Sequence, residues 1–266
     1  GICSVGAGMQ GVFGDGFEAY FGGGLGGAGE VASPFNASTS VVSADKWSWG
    51  EVGGPGTSGN KIAEVIDTDA GDTGELRYKL EGDPLASGRL EVAVKRLDDD
   101  LGNGDAFITL FNSDTNNSGS ILDFRIKDDS YQVRYPSATD TSSLPHALDT
   151  WMNLVVTWAY PGGDTAVAPE VVIEVDGVAL APITPDNSPF GGVTHVSFRF
   201  GDNGGVREAT GIFSVDNVAI YSDIDGSTSV FEDDFESYLE GDSLDTDNAA
   251  SPYNSSTSEA TVGVEE

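Results

Sequence analysis

Apolar and polar residues alternate with a period of two through most of the middle of the chain. Leu76, Tyr78 and Leu80 share one face, as do Leu90, Val92 and Val94, then Leu122, Phe124 and Ile126, then Val196, Phe198 and Phe200. In a strand successive side chains point to opposite sides, so each set predicts a strand with one buried face. Three runs are apolar without alternation: Leu154 to Trp158, Val171 to Val175 and Ile212 to Tyr221. They predict strands covered on both sides. Turns are expected at Pro161 to Gly163, at Asp176 with Gly177 and at Asp225 with Gly226. No helix longer than a turn or two is expected. The pattern predicts an all-β fold of about a dozen antiparallel strands in a two-sheet β-sandwich.

A second pattern lies across the ends. Phe13 to Tyr20 (FGDGFEAY) matches Phe231 to Tyr238 (FEDDFESY), and Ser33 to Ser40 matches Ser251 to Ser258, at a constant offset of 218. Without a gap, 13 of the 30 residues from Phe13 to Val42 recur. The division expected is a lead-in at 1–12, a sandwich domain at 13–226, and a segment at 227–266 that begins a further repeat or is exchanged between chains. An opening segment alone cannot bury its apolar positions. Phe231, Phe235, Tyr238 and Tyr253 are therefore expected to find their core in another domain or another copy of the chain.

The order of DGFEAY, WMNLVVTW (Trp151 to Trp158), VVIEVDGV (Val171 to Val178), VSFRFG (Val196 to Gly201) and FSVDNVAIYSD (Phe213 to Asp223) resembles the laminin-G-like or concanavalin-like lectin jelly roll. The resemblance covers most of residues 13 to 223. It implies the jelly roll and, as a structural ion, a calcium tying the opening strand to the closing one. Carried over residue by residue, that nominates Asp15 and Glu18 with Asp216 and Asn217. Dense oxygen donors at Asp98, Asp100 and Asp105 form a second calcium candidate, because hard cations need six to eight oxygens.

Charge narrows the functions. Twelve Lys and Arg stand against 44 Asp and Glu, a net charge of −32. A phosphate backbone would be repelled, so nucleic acid is excluded as a partner. Surplus carboxylate suits saline, extracellular or cell-surface surroundings, where cations screen repulsion. The single Cys3 forms no intramolecular disulfide. No stretch is long and apolar enough for a membrane span. Eight of the basic residues, Arg77, Lys79, Arg89, Lys95, Arg125, Lys127, Arg134 and Arg199, fall on the strand faces opposite the expected core. Such a basic stripe suits an anionic polysaccharide, the acidic tail of a neighbouring copy (Asp242 to Asp247 with Glu259, Glu265 and Glu266), or ordinary pairing with Glu75, Glu81, Glu91 and Asp123. Trp47, Trp49, Tyr131 and Tyr135 are the rings that would stack on sugar beside Arg125 and Arg134.

Catalytic patterns are weak. A Glu-x-Asp-x-Glu strand of the glycoside hydrolase kind is missing, and Glu174 with Asp176 runs into a turn. GELRYKL at Gly74 to Leu80 resembles the Glu-Leu-Arg strand of some alginate lyases, but their Gln-x-His strand is missing. His146 and His195 have no triad or zinc spacing. The expectation is a non-catalytic, calcium-stabilised structural or adhesive protein that assembles with copies of itself. The alternative is a module binding anionic polysaccharide.

Overall fold

The computed structural model describes residues 54–67, 74–97, 104–112, 119–135, 138–141, 147–180, 191–202, 211–244, 251–253 and 260–265. These form the antiparallel two-sheet β-sandwich. The strands are β1 (Lys61–Val65), β2 (Gly74–Lys79), β3 (Ser87–Arg96), β4 (Gly104–Phe111), β5 (Ser120–Ile126), β6 (Tyr131–Tyr135), β7 (Ala138–Thr141), β8 (Met152–Ala159), β9 (Glu170–Val175), β10 (Val178–Ala179), β11 (His195–Asp202), β12 (Phe213–Tyr221), β13 (Ser229–Asp233) and β14 (Ala260–Val264). An eight-stranded sheet runs β10-β9-β8-β3-β12-β1-β14, with β13 also paired to β12. A six-stranded sheet runs β2-β11-β4-β5-β6-β7.

The core between the sheets is what the alternation predicts: Leu76, Leu90, Val94, Phe124, Val196, Phe198 and Phe200 are all buried. Two of the three uninterrupted apolar runs behave differently from expectation. β8 and β9 bury every second residue and leave Val155, Thr157 and Val172 half-exposed. Small and β-branched side chains tolerate the solvent face of a strand, so their apolar character alone is ambiguous. β12 is buried at all nine positions, because it is central, with β3 on one edge and β1 and β13 on the other. The Asp176–Gly177 turn joins β9 to β10, and both residues have positive φ, 49° and 76°. That is the backbone a two-residue hairpin requires.

The C-terminal segment overturns an expectation. β13 pairs with Val218 to Tyr221 of β12, and β14 pairs with the whole of β1. Phe235 and Tyr253 are fully buried, Tyr238 nearly so, and Phe231 packs half-buried against the same core. These four aromatics thus find their core in their own chain. The physical reason is that β12 and β1 present open edges that the segment satisfies, while the inter-sheet space takes its rings. A domain ending at residue 226 is too short, because the strands that close the sandwich follow it.

Candidate functional site

On the six-stranded sheet the positions opposite the core line up across strands. The ladder registers put Glu75, Arg199, Phe107, Arg125 and Gln132 in one row. Arg77, Ser197, Thr109, Asp123 and Arg134 form the next. Lys79, His195 and Phe111 begin a third. Side chains directly opposite one another in a sheet stand close enough to interact, so each row is a string of contacts.

Those contacts hold the cations in fixed positions. Asp123, fully buried, is the hub of the second row. Its Oδ1 accepts from Thr109 Oγ1 at 2.6 Å, and its Oδ2 from Arg134 Nε at 2.9 Å and Nη2 at 2.6 Å. Arg199 Nη2 lies 3.6 Å from Asp123 and donates to Thr109 Oγ1 at 3.2 Å. Glu75 pairs with Arg77 and accepts from Ser197 Oγ at 3.0 Å. Asp105 receives Lys127 at 3.3 Å, with Arg125 at 3.9 Å. The guanidinium of Arg77 lies over the Phe111 ring at 4.6 Å, and those of Arg125 and Arg199 lie over Phe107 at 4.8 and 5.0 Å. Ring faces are electron-rich, so stacking steadies the cations.

The face carries six cations, Arg77, Lys79, Arg125, Lys127, Arg134 and Arg199, against Glu75, Asp105 and Asp123. Burial is the main influence lowering the Arg199 and Arg125 guanidinium pKa values. Asp123 and Glu75 partly offset it at Arg199, whereas Arg134 adds to it at Arg125 before Asp105 and Asp123 oppose it. A further anion beside these arginines would favour their charged form. Arg134 keeps 40% of its side chain exposed and Lys127 keeps 29%, so these two cations reach solvent, whereas Arg77, Arg125 and Arg199 are buried.

Around the closing strands the chemistry is acidic. Asp233 accepts from Phe235 N at 2.9 Å and from the hydroxyls of Tyr238 and Tyr253, each at 3.0 Å. Burial nevertheless raises its carboxyl above the usual range. Asp216, 1% exposed, sits at an irregularity of β12 where Asn217 adopts φ 50°. It accepts from Asn60 Nδ2 at 2.9 Å and Asn217 N at 2.7 Å. Burial first, with Asp234 and Glu236 adding like charge, pushes its carboxyl up to about 8. Glu265 takes Lys95 Nζ at 2.9 Å and Trp151 Nε1 at 2.7 Å. Burial alone would raise it, but these bonds and one from Gly56 N outweigh that and hold it below the usual range.

Several nominated residues sit elsewhere than expected. Tyr131 is buried, facing the core against Phe124, and Tyr135 packs half-buried against that core. Their register puts them on the inner side of β6, opposite Gln132 and Arg134, so neither offers a ring to sugar. Arg125 and Arg134 do share the outer face. Asp105 is held by Lys127 and Arg125 on that face, so its carboxylate answers cations rather than a calcium loop. Asp15, Glu18, Trp47, Trp49, Asp98, Asp100 and His146 lie outside the described residues. The 218 offset makes Asp233 and Glu236 the counterparts of Asp15 and Glu18, and of these Glu236, together with Asp234, lies near Asp216. Among the described residues no three of His, Cys, Asp and Glu are grouped to hold a metal ion. Asp233 is a residue the sequence reading missed, although the recurrence of Asp15 in the repeat was a usable signal, and Glu265, expected to meet the basic stripe of a neighbouring copy, pairs with Lys95 of its own chain. No helix among the described residues is long and apolar enough to cross a membrane.

No family model and no curated protein matches the chain. Among solved structures it is similar to a sialidase, with a TM-score of 0.45 and 10% identity over 60% of this chain. The chain spans 15% of that sialidase. It is also similar to a tetrameric galectin from the ball sponge Cinachyrella sp. (TM-score 0.39, 16% identity, 55% of this chain and 99% of that one). A family 7 alginate lyase gives a TM-score of 0.43 and 12% identity over 57% of this chain and 74% of its own. The likeness is one of fold alone, the two-sheet jelly-roll β-sandwich. The expectation of a non-catalytic protein is withdrawn, since lyases and a sialidase stand beside lectins among these neighbours. The fold does not separate binding from turnover.

Proposed function

We propose that the protein recognises an anionic polysaccharide along the outer face of its six-stranded sheet. The observation that carries this is the concentration of six of the chain's twelve basic residues on one sheet face, in a chain of net charge −32. The net charge disfavours every polyanion at long range, but beyond roughly 8 Å it is screened at physiological salt, so contact falls to the local rows, whose spacing follows strands rather than a phosphate helix. Guanidinium groups suit carboxylate and sulfate because their planar forks make paired, charge-assisted hydrogen bonds. Arg134 is the entry point, being anchored on Asp123 yet exposed. A strongly acidic remainder supports an extracellular or cell-surface setting.

Titration calorimetry with a polyuronate, a sulfated glycan and a neutral glucan tests the reading. Binding of the charged polymers alone is expected. Binding of the glucan in preference would overturn it. Following the same mixtures for newly formed reducing or unsaturated ends reports any turnover.

Calcium belongs to a second reading, supported by Asp216. Burial is the main cause of the raised Asp216 carboxyl, and a divalent cation near Asp216, Asp234 and Glu236 would relieve the like charge that adds to it. It requires these side chains to move closer together than they stand. A calcium-dependent rise in Tm that Asp216→Asn removes is the expected result. An equal rise in the variant would place any calcium elsewhere.

A further inference from the structure

The closing segment fills one slot. Its rings enter beside Tyr78, which stacks on Phe231 at a centroid distance of 3.7 Å and bridges to Tyr253. Its strands take the open edges of β12 and β1. Lys61 N donates to Glu236 Oε1 at 2.8 Å, and Lys61 Nζ to Glu236 O at 2.8 Å. Ser251 Oγ donates to Leu244 O at 3.0 Å.

Residues 13–46 repeat the side chains that fit this slot. At the offset of 218, Phe13, Asp15, Phe17, Glu18, Tyr20 and Ser33 stand for Phe231, Asp233, Phe235, Glu236, Tyr238 and Ser251. Phe35 stands for Tyr253, and Val42 and Ala44 stand for Ala260 and Val262 of β14. The two edges each accept one partner strand over these residues, so a sandwich seats one such segment at a time.

Three differences rank the copies. Phe35 lacks the hydroxyl that Tyr253 gives to Asp233. Gly26 stands where Leu244 is fully buried. Asp45 stands for Gly263, where an added Cβ would meet the Glu64 carboxyl at 2.3 Å and a second carboxylate would be repelled. The C-terminal copy therefore holds the slot of its own chain, and the N-terminal copy is the spare.

We infer that residues 13–46 are a second closing segment, fitted to this same slot on a second copy of the chain, which they enter when that copy's own segment is withdrawn. The register supplies the test, since Glu64 faces Thr261 across β1 and β14, and Ser43 is the counterpart of Thr261. All proteins are full-length and carry Cys3→Ser. A donor chain bears Ser43→Cys. An acceptor bears Glu64→Cys with Phe235→Ala to loosen its own segment. A single chain with Glu64→Cys and Thr261→Cys is the positive control for a short bismaleimide.

A donor–acceptor dimer is expected, reduced at least fivefold when the donor also carries Phe17→Asp. Control cross-linking without any dimer, from an acceptor whose own segment is cut by limited proteolysis while the rest of the sandwich resists, would overturn the inference. A dimer that Phe17→Asp leaves undiminished would do the same. Should Phe235→Ala unfold the acceptor, Tyr253→Phe replaces it as a milder loosening, and the same outcomes decide. None of these positions lies on the outer face of the six-stranded sheet, so this test fails independently of the polyanion reading.

Discussion

The six-stranded sheet and the closing strands of the eight-stranded sheet use buried charge in opposite ways. On the first, Asp123 and Glu75 are each met by arginine, and the surplus is cationic. Near the second, Asp216 and Asp233 are met by amides and hydroxyls, and burial raises both carboxyls. Pairing with a cation keeps a buried carboxylate ionised, whereas neutral donors only lessen its desolvation cost. The first arrangement fixes its cations in rows, with Arg134 and Lys127 partly open to solvent. The second makes the closure of the sandwich sensitive to packing and pH.

Removing a ring from the closing segment should have the largest effect. Phe235→Ala deletes a fully buried side chain, so a loss of about 3–5 kcal/mol is expected, read from urea unfolding. Changes of under 1 kcal/mol would mean that the segment is not part of the cooperative core.

The pH dependence comes next. Burial pushes the Asp216 carboxyl up to about 8 in the fold, against 3.8 for an ordinary aspartate. The folded state therefore keeps a proton that the unfolded chain releases, and this group's contribution is full below pH 3.8 and declines as pH rises toward 8. Asp216→Asn, which stays neutral, should flatten that decline in a series of urea midpoints. An unchanged slope would show that Asp216 is ionised in the fold.

A smaller effect is expected from Tyr253→Phe, which withdraws one hydrogen bond from Asp233 while leaving the ring. About 1 kcal/mol should be lost in thermal unfolding. The smallest stability effect belongs to the other region. Arg134→Ala breaks a pair that is 40% exposed on the arginine side, so Tm should move little, while polyuronate affinity falls several-fold in calorimetry. A large Tm loss with unchanged affinity would make Arg134 structural.

Much of the sandwich was legible because alternation fixes faces: Leu76, Leu122 and Phe198 are buried and Arg77, Asp123 and Arg199 are on the other side, as read. The ambiguous cases were Val155 and Val172, where β-branched residues serve either face. Tyr131 and Tyr135 misled for a related reason, since tyrosine suits both a core and a sugar platform and only the register of β6 decides. The repeat pointed to the right aromatics, Phe231, Phe235, Tyr238 and Tyr253, but not to their slot. Sequence identity between two segments carries no information on which strand edge accepts them. The rows of the binding face were likewise hidden, because they follow from how β2, β11, β4, β5 and β6 are ordered in the sheet.

The most direct test of the central claim is the affinity of a polyuronate for the wild-type chain and for Arg134→Gln, which removes the charge but keeps a donor for the buried Asp123, measured side by side at physiological salt. The account predicts binding by the wild type and a several-fold loss in the variant, with folding unchanged by circular dichroism. Equal affinity in the two proteins would contradict it.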